Sequence, residues 1–287
     1  MRFVFFLLSI VFLCSNNLTL ASNTRRVAIA IIDSEFCVNN INLSPHLKSK
    51  IIIHPGPPPA PLCGKNIPKE RWAHGHHVLN LFTQELAKQL PGNLIIEIHP
   101  YKIFDADGMY TLKDWEDLLR GLMNVPPDLI IMASTYYGSD HSRLEESMKN
   151  FHGIFLLAAG AKDDTIQNPA FLWPQASKTT QKILFGSYVR YQTPGQKGTP
   201  QGQLDTGLFE QNGLDYVVEA PQSSVYPTGS SYAVARAAAF LLGRCPTLEM
   251  TSLLRCIGGF STPTLLKSRP SPLSKIGKYY KAITFHK

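Results

Sequence analysis

A chain of 287 residues, 44% hydrophobic and 17% charged, has material for one large α/β domain or two small ones, and this balance excludes a disordered polymer. The formal net charge of +7 is spread along the chain without a long basic run. No nucleic-acid-binding module accompanies it, so it reads as a mildly cationic surface suited to acidic surroundings, and nucleic acid is not an expected partner.

At the N-terminus, Arg2 precedes an apolar run from Phe3 to Leu13, and Thr19-Leu20-Ala21 supplies small residues at cleavage-type positions. The run is short for a membrane span, so residues 1–21 read as a secretory signal peptide cleaved near Ala21. The bulky Leu13 before Cys14 is unlike a lipoprotein cleavage site. The expected product is therefore secreted or periplasmic, with no stable membrane anchor. Cleavage leaves Cys37, Cys63, Cys245 and Cys256. In an oxidising compartment these permit two disulfides, and short loops favour Cys37 with Cys63 and Cys245 with Cys256, while other pairings and free buried thiols stay open.

Val27 to Ile32 is a continuous apolar run of the kind found in a central parallel strand, and Asp33-Ser34 follows at its C-terminal end. Residues 51–68, with Pro55-Gly56-Pro57-Pro58-Pro59, read as a rigid loop. A helix then starts near His74 and continues to about Leu90. Asn93 to Ile98 is a second strand that Tyr101 to Phe104 can extend. Thr111 caps an amphipathic helix to Met123, ended by Pro126-Pro127. Residues 128–134 form a third strand, 142–150 a helix, 153–160 a fourth strand ending in small residues, and 182–187 a fifth. A strand-like run from Leu214 to Ala220 leads through a loop to Gly229-Ser230-Ser231 and an alanine-rich helix reaching Leu242. Strands alternating with helices predict an α/β fold: a three-layer, doubly wound, mostly parallel sheet with helices on both faces.

In open α/β sheets, ligands bind beyond the carboxyl ends of the strands. Asp33 lies at such an end, and His74 and Ser231 each open a helix. Taken singly, each has an ordinary structural reading: Asp33 as a turn residue, Ser230 or Ser231 as a helix cap. The group His74, His76 and His77, with His54 and Cys63, also admits zinc. It lacks the glutamate and the i, i+4 histidine pair of a zinc-protease helix, so no metal site is expected there.

Together the segments resemble subtilisin-like serine proteases, the subtilases of peptidase family S8. The aspartate motif of that family matches Ile31-Ile32-Asp33-Ser34, its His-Gly-Thr-His-Val motif matches His74-Gly75-His76-His77-Val78, and its Gly-Thr-Ser-Met-Ala motif matches Gly229-Ser230-Ser231-Tyr232-Ala233. The match runs from about Arg26 to about Leu242. The resemblance implies a peptidase domain over residues 26–260, with 261–287 as a C-terminal extension packed on it as a basic surface tail. It implies Ser231 as nucleophile, His74 as general base and Asp33 as the group that orients the imidazole. His77 matches a structural histidine behind the site. Ala133, Ser134 and Thr135 lie in a segment that resembles the substrate-binding strand, with Thr135, Tyr136 and Tyr137 where the family favours glycine, and Ala159 and Gly160 lie in one that resembles its Ala-Ala-Gly-Asn segment. The Ser231 backbone amide would serve the oxyanion, while Ala161 stands where the family has an asparagine donor.

The expected activity is that of an exported, monomeric serine endopeptidase acting on peptide or protein substrates. The alternative is a weak or inactive pseudoprotease that binds peptides. No cofactor is required by the resemblance; calcium is common in the family, but no acidic loop identifies a site. Ala235-Arg236 replaces the family's Pro-His, with Arg236 expected at a solvent-facing helix edge.

Overall fold

The computed structural model describes residues 24–55, 73–103, 110–160, 169–191, 201–204, 213–220, 229–267, 278–283 and 285. The apolar run beginning at Val27 lies in strand β1 (Arg25–Asp33), and its alternate residues diverge to opposite faces of the sheet. Val27, Ile29 and Ile31 join one core; Ala30 and Ile32 join the other. A run apolar at every position is the consequence of covering both faces.

After β1 come the short helix α1 (Pro45–Lys48), β2 (Ile51–Ile53), α2 (His74–Ala87), β3 (Leu94–Lys102), α3 (Leu112–Asn124), β4 (Leu129–Met132) and β5 (Tyr136–Tyr137). The middle of the chain supplies α4 (Ser142–Lys149), β6 (Ile154–Ala158), β7 (Leu172–Trp173), β8 (Lys182–Arg190), β9 (Gly202–Leu204) and β10 (Tyr216–Glu219). Last come α5 (Ser230–Arg244), α6 (Met250–Phe260), β11 (Ser261–Lys267) and β12 (Lys278–Ile283). Thr111 caps α3 as expected: its hydroxyl accepts from the Asp114 amide while the Asp114 carboxylate accepts from the Thr111 amide.

Strands β2-β3-β1-β4-β6-β8 lie side by side, all parallel. Helices α2 and α5 pack on the face carrying Ile29 and Ile31. Trp115 and Leu119 of α3, with Leu144 and Met148 of α4, pack on the face carrying Ala30 and Ile32. The alanines of α5 explain its central place, because Ala233, Ala235, Ala237, Ala238 and Ala239 are wholly buried and let its backbone lie close to its neighbours.

At the far edge the sheet departs from the open layout expected. The first half of β8 pairs with β6, but residues 188–190 leave it and pair antiparallel with β9. From there the order runs through β11 and β12 to β10, which pairs back onto β8 and closes a five-stranded barrel of mixed direction. Tyr188, Leu204, Val217, Leu266, Tyr280 and Ala282 fill it. Residues 261–267 and 278–283, expected to lie over the surface, are barrel strands. Their period of two is legible in retrospect, since Tyr280 and Ala282 point inward while Tyr279 and Lys281 point out. Strand β2, read as loop, is the opposite sheet edge.

The Cys245–Cys256 disulfide is present and ties the end of α5 to α6. Cys37 is also disulfide-bonded, while Cys63, its expected partner, lies outside the described residues, as do residues 1–21. Closing an 11-residue separation removes loop entropy from the unfolded chain. Replacing both cysteines by serine is therefore expected to lower unfolding free energy by about 2–3 kcal/mol. Urea titration of the two proteins would show this, and coincident curves would refute it. Among the described residues no helix is long and apolar enough to cross a membrane.

Candidate functional site

The site is built where the chain leaves β1. Asp33 is 1% exposed, and its Oδ1 accepts from the Ser34 amide at 2.6 Å and contacts His74 Nδ1 at 2.7 Å. An ionised carboxylate can only accept, so Nδ1 is the donor, and in the neutral ring Nε2 becomes the acceptor. Asp33 Oδ2 is buried with no hydrogen-bond partner among the described residues.

The segment after Asp33 also holds the start of α2. The Gly75 amide donates to Ser34 Oγ at 3.0 Å, and the His76 amide to the Glu35 carbonyl at 2.9 Å. Two of the first-turn amides that a helix leaves unpaired are thus satisfied by the strand end itself. Glu35, 4% exposed, is neutralised by an ion pair with Lys102, which stands opposite Asp33 in the β1–β3 register. Gly75 permits the close approach. A Cβ there would lie 3.0 Å from Asp33 Cβ, 3.1 Å from the Glu35 carbonyl and 3.1 Å from the Phe36 ring.

Ser231 arrives from the other side, in the first turn of α5. Its Oγ donates to the Ala133 carbonyl at 3.4 Å, and Ala133 follows β4, the neighbour of β1. Ser134 Oγ donates to the Ile32 carbonyl at 3.1 Å and so pins this strand end to the one bearing Asp33. The next residue of α5, Tyr232, sets its ring 5.6 Å from that of His74. Asp33 and His74 are therefore hydrogen-bonded, and Ser231 is bonded to the end of the neighbouring strand, at Ala133.

Of the residues matched to substrate binding, Ser134 and Ala159 are buried, Ala133 and Thr135 are half-buried, and Gly160 has a φ of 79° that favours glycine. Ala161 lies outside the described residues. The two strand ends are braced by Gln175, whose Nε2 donates to the carbonyls of Ser134 and Ala158 at 3.3 and 3.0 Å. Nothing local in the sequence marks Gln175 for this, because its partners lie 41 and 17 residues away. Tyr136 and Tyr137 form β5, paired with β7, and the Tyr137 ring is exposed beside Phe171.

Arg236 corrects an expectation. Its guanidinium is half-buried, donating through Nη1 to the Glu219 carbonyl and lying 4.6 Å over the Phe285 ring. Desolvation lowers its pKa, opposed by Glu85 and Glu219. The barrel end receives this cation, which is why a charge is tolerated on a helix otherwise lined with alanine.

His77, matched to a packing histidine, is half-buried; the more deeply buried ring is that of His76, 4% exposed. Burial, and secondarily the neighbouring His77, lower the His76 pKa to about 4, with the Cys37 backbone opposing. An unfolded His76 takes a proton below its ordinary 6.5, while the folded one resists until about 4. Its contribution is thus full above pH 6.5 and is lost as pH falls from 6.5 toward 4, to a limit of about 3 kcal/mol. His76→Gln is expected to flatten this acid limb, read as unfolding free energy at pH 7 and pH 4.5; an unaltered difference between the two would remove His76 as its source. The described residues disposed to hold a metal ion are His54, Glu97 and His99, on the sheet face away from α2.

No family model and no curated protein matches the chain. Among solved structures, a lanthipeptide protease is similar with a TM-score of 0.53 at 14% identity, over 90% of this chain and 85% of that one, and shares its fold. The prenylagaramide maturation protease PagA is similar at 13% identity over 83% of each chain, with a TM-score of 0.49. A serine-to-alanine mutant of the protease domain of PatA is similar at 17% identity over 83% of this chain and 88% of that one, also at 0.49.

Proposed function

We propose that the chain is an exported serine endopeptidase of the subtilisin-like kind, hydrolysing peptide bonds in a peptide or protein substrate through an acyl-enzyme on Ser231. The observation that carries this reading is the 2.7 Å contact between His74 Nδ1 and a buried Asp33, with the Ser231 hydroxyl on the adjoining strand end. The fold supports it as well, being shared with a solved protease.

In this mechanism Ser231 Oγ attacks the scissile carbonyl carbon while His74 Nε2 takes the hydroxyl proton. Asp33 holds the ring in the required tautomer and stabilises the imidazolium. Collapse of the tetrahedral adduct breaks the C–N bond as His74 returns the proton to the leaving nitrogen, and water then repeats the sequence on the ester. The Ser231 amide, in the first turn of α5, would face the oxyanion at the positive end of the helix dipole. With alanine at 161 a side-chain donor is missing, a loss that costs about 10²–10³ in rate in the resembled family. A slow enzyme is the result, working without a cofactor, and a leader over residues 1–21 would take it to the periplasm or outside the cell as a monomer.

That same alanine favours a second reading, a pseudoprotease whose cleft binds peptides without cleaving them. Labelling with a fluorophosphonate separates the two. Modification that requires Ser231 supports the enzyme; peptide binding with no labelling of natural protein supports the binder. The approach of α2 to β1 can be probed independently. Gly75→Ala must push His74 or Asp33 aside by tenths of an ångström, and kcat is expected to fall about 10-fold or more with KM little changed. A variant with unchanged kcat would show that the packing at Gly75 does not set the geometry.

A further inference from the structure

The geometry points to a divalent transition-metal site, of the kind that takes zinc, formed by His54, Glu97 and His99 at the β2 edge of the sheet. One ligand atom from each lies within 4.8 Å of the others. Glu97 and His99 are two apart on β3 and so project from one face, and His54 follows β2 directly, with its amide donating to the Ile98 carbonyl at 2.9 Å. On the other side of β3, Ala28 and Ala30 stand opposite Glu97 and His99, and the large β1 side chain that reaches the cluster, Arg26, takes up only Glu97 Oε1. Three donors thus come from backbone held in register by pairing on both sides of β3.

The donor atoms face one another without being tied up. Arg26 binds Glu97 Oε1 and leaves Oε2 facing His54 Nε2 at 3.7 Å, too long for a hydrogen bond. His54 Nε2 is itself buried without a hydrogen-bond partner among the described residues. Two imidazoles and one carboxylate form a ligand set known for zinc, with a fourth position left to water.

Binding requires a defined adjustment. With Zn–N of about 2.1 Å and tetrahedral angles, two ligands of one ion lie about 3.4 Å apart, so donor pairs near the 4.8 Å limit must close by up to about 1.4 Å. The two imidazoles are stacked, with centroids 4.0 Å apart and planes 9° from parallel, whereas an ion lies in the plane of each ring that ligates it. One ring therefore turns about its χ torsions, and His54, with its side chain 38% exposed, has the room. The bound ion would fasten β2, a three-residue edge strand, to β3. The site lies on the opposite face from His74 and does not rest on the proposed catalysis.

The test is calorimetric titration of the full chain with Zn²⁺, alongside His54→Ala, His99→Ala and Glu97→Gln, each checked for folding by circular dichroism. Natural protein is expected to bind one more equivalent than the His54→Ala/His99→Ala double variant, each single substitution to weaken that binding at least 10-fold, and Zn²⁺ to raise the melting temperature of natural protein alone. Co²⁺ in place of Zn²⁺ should give visible d–d bands that the double variant lacks. Equal stoichiometry and affinity in natural and double-variant protein, or identical Co²⁺ spectra, would overturn the site, as would zinc bound only through His74, His76 or His77.

Discussion

Ser231→Ala is expected to abolish fluorophosphonate labelling and to lower kcat by at least about 10⁴-fold, with KM nearly unchanged. In the proposed mechanism the hydroxyl forms the acyl bond, and no other group in the first turn of α5 can replace it without moving the helix: Ser230, its neighbour, is 3% exposed and turned into the protein. A nucleophile and base that act as one device, as proposed for Ser231 and His74, make removing both cost little more than removing either. Ser231→Ala, His74→Ala and the double variant are therefore expected to fall to a common floor, set by substrate binding and the remaining oxyanion donor. Steady-state turnover of a long peptide measures this. Losses that multiply in the double variant would mean that the two residues work separately, and turnover within tenfold of natural protein in Ser231→Ala would dispose of the acyl-enzyme.

The second large effect is that of Asp33→Asn, where a fall in kcat of about 10²–10³-fold is expected, the scale of losing one preorganised electrostatic partner. The substitution is nearly isosteric, and its consequence follows from how Oδ1 is used. That single oxygen accepts from the Ser34 amide at 2.6 Å and from His74 Nδ1 at 2.7 Å, while Oδ2 has no partner among the described residues. Asparagine can keep its oxygen at the first position and place its NH₂ at the second, so the imidazole tautomer can survive. What disappears is the negative charge that, in the proposed mechanism, stabilises the imidazolium formed during attack. Asp33→Asn should therefore retain a strongly hydrogen-bonded Nδ1 proton in the NMR spectrum while losing turnover. Retention of most activity would show that the buried charge is not used in catalysis.

The motif positions were legible because they depend on local signals. An apolar run marks a strand, and Asp33 is the residue that follows it; a small-residue turn before an alanine-rich stretch marks a helix start, and Ser231 is there. Thr111 announced its own helix through a cap whose partner is three residues away. Arg236 misled for the same reason, since a charge in an apolar helix suggests an exposed edge when only helix periodicity is considered. Its actual partners, Glu219 and Phe285, are supplied by the barrel end, which no local pattern announces.

The sequence by itself determined which segments become strands and helices around the site, and that three reactive side-chain types stand at their ends. The tertiary structure alone decided that β8 bends away from β6 to close a barrel, that Gln175 braces two strand ends, and that His54 meets Glu97 and His99 rather than His74. It also decided the contact on which the proposed function turns, by letting Gly75 bring α2 within van der Waals reach of Asp33. Hydrophobic period and capping act over a few residues and can be read from composition. Strand register and helix approach are fixed by groups tens of residues apart competing for the same space, and that competition is resolved only when the whole sheet has formed.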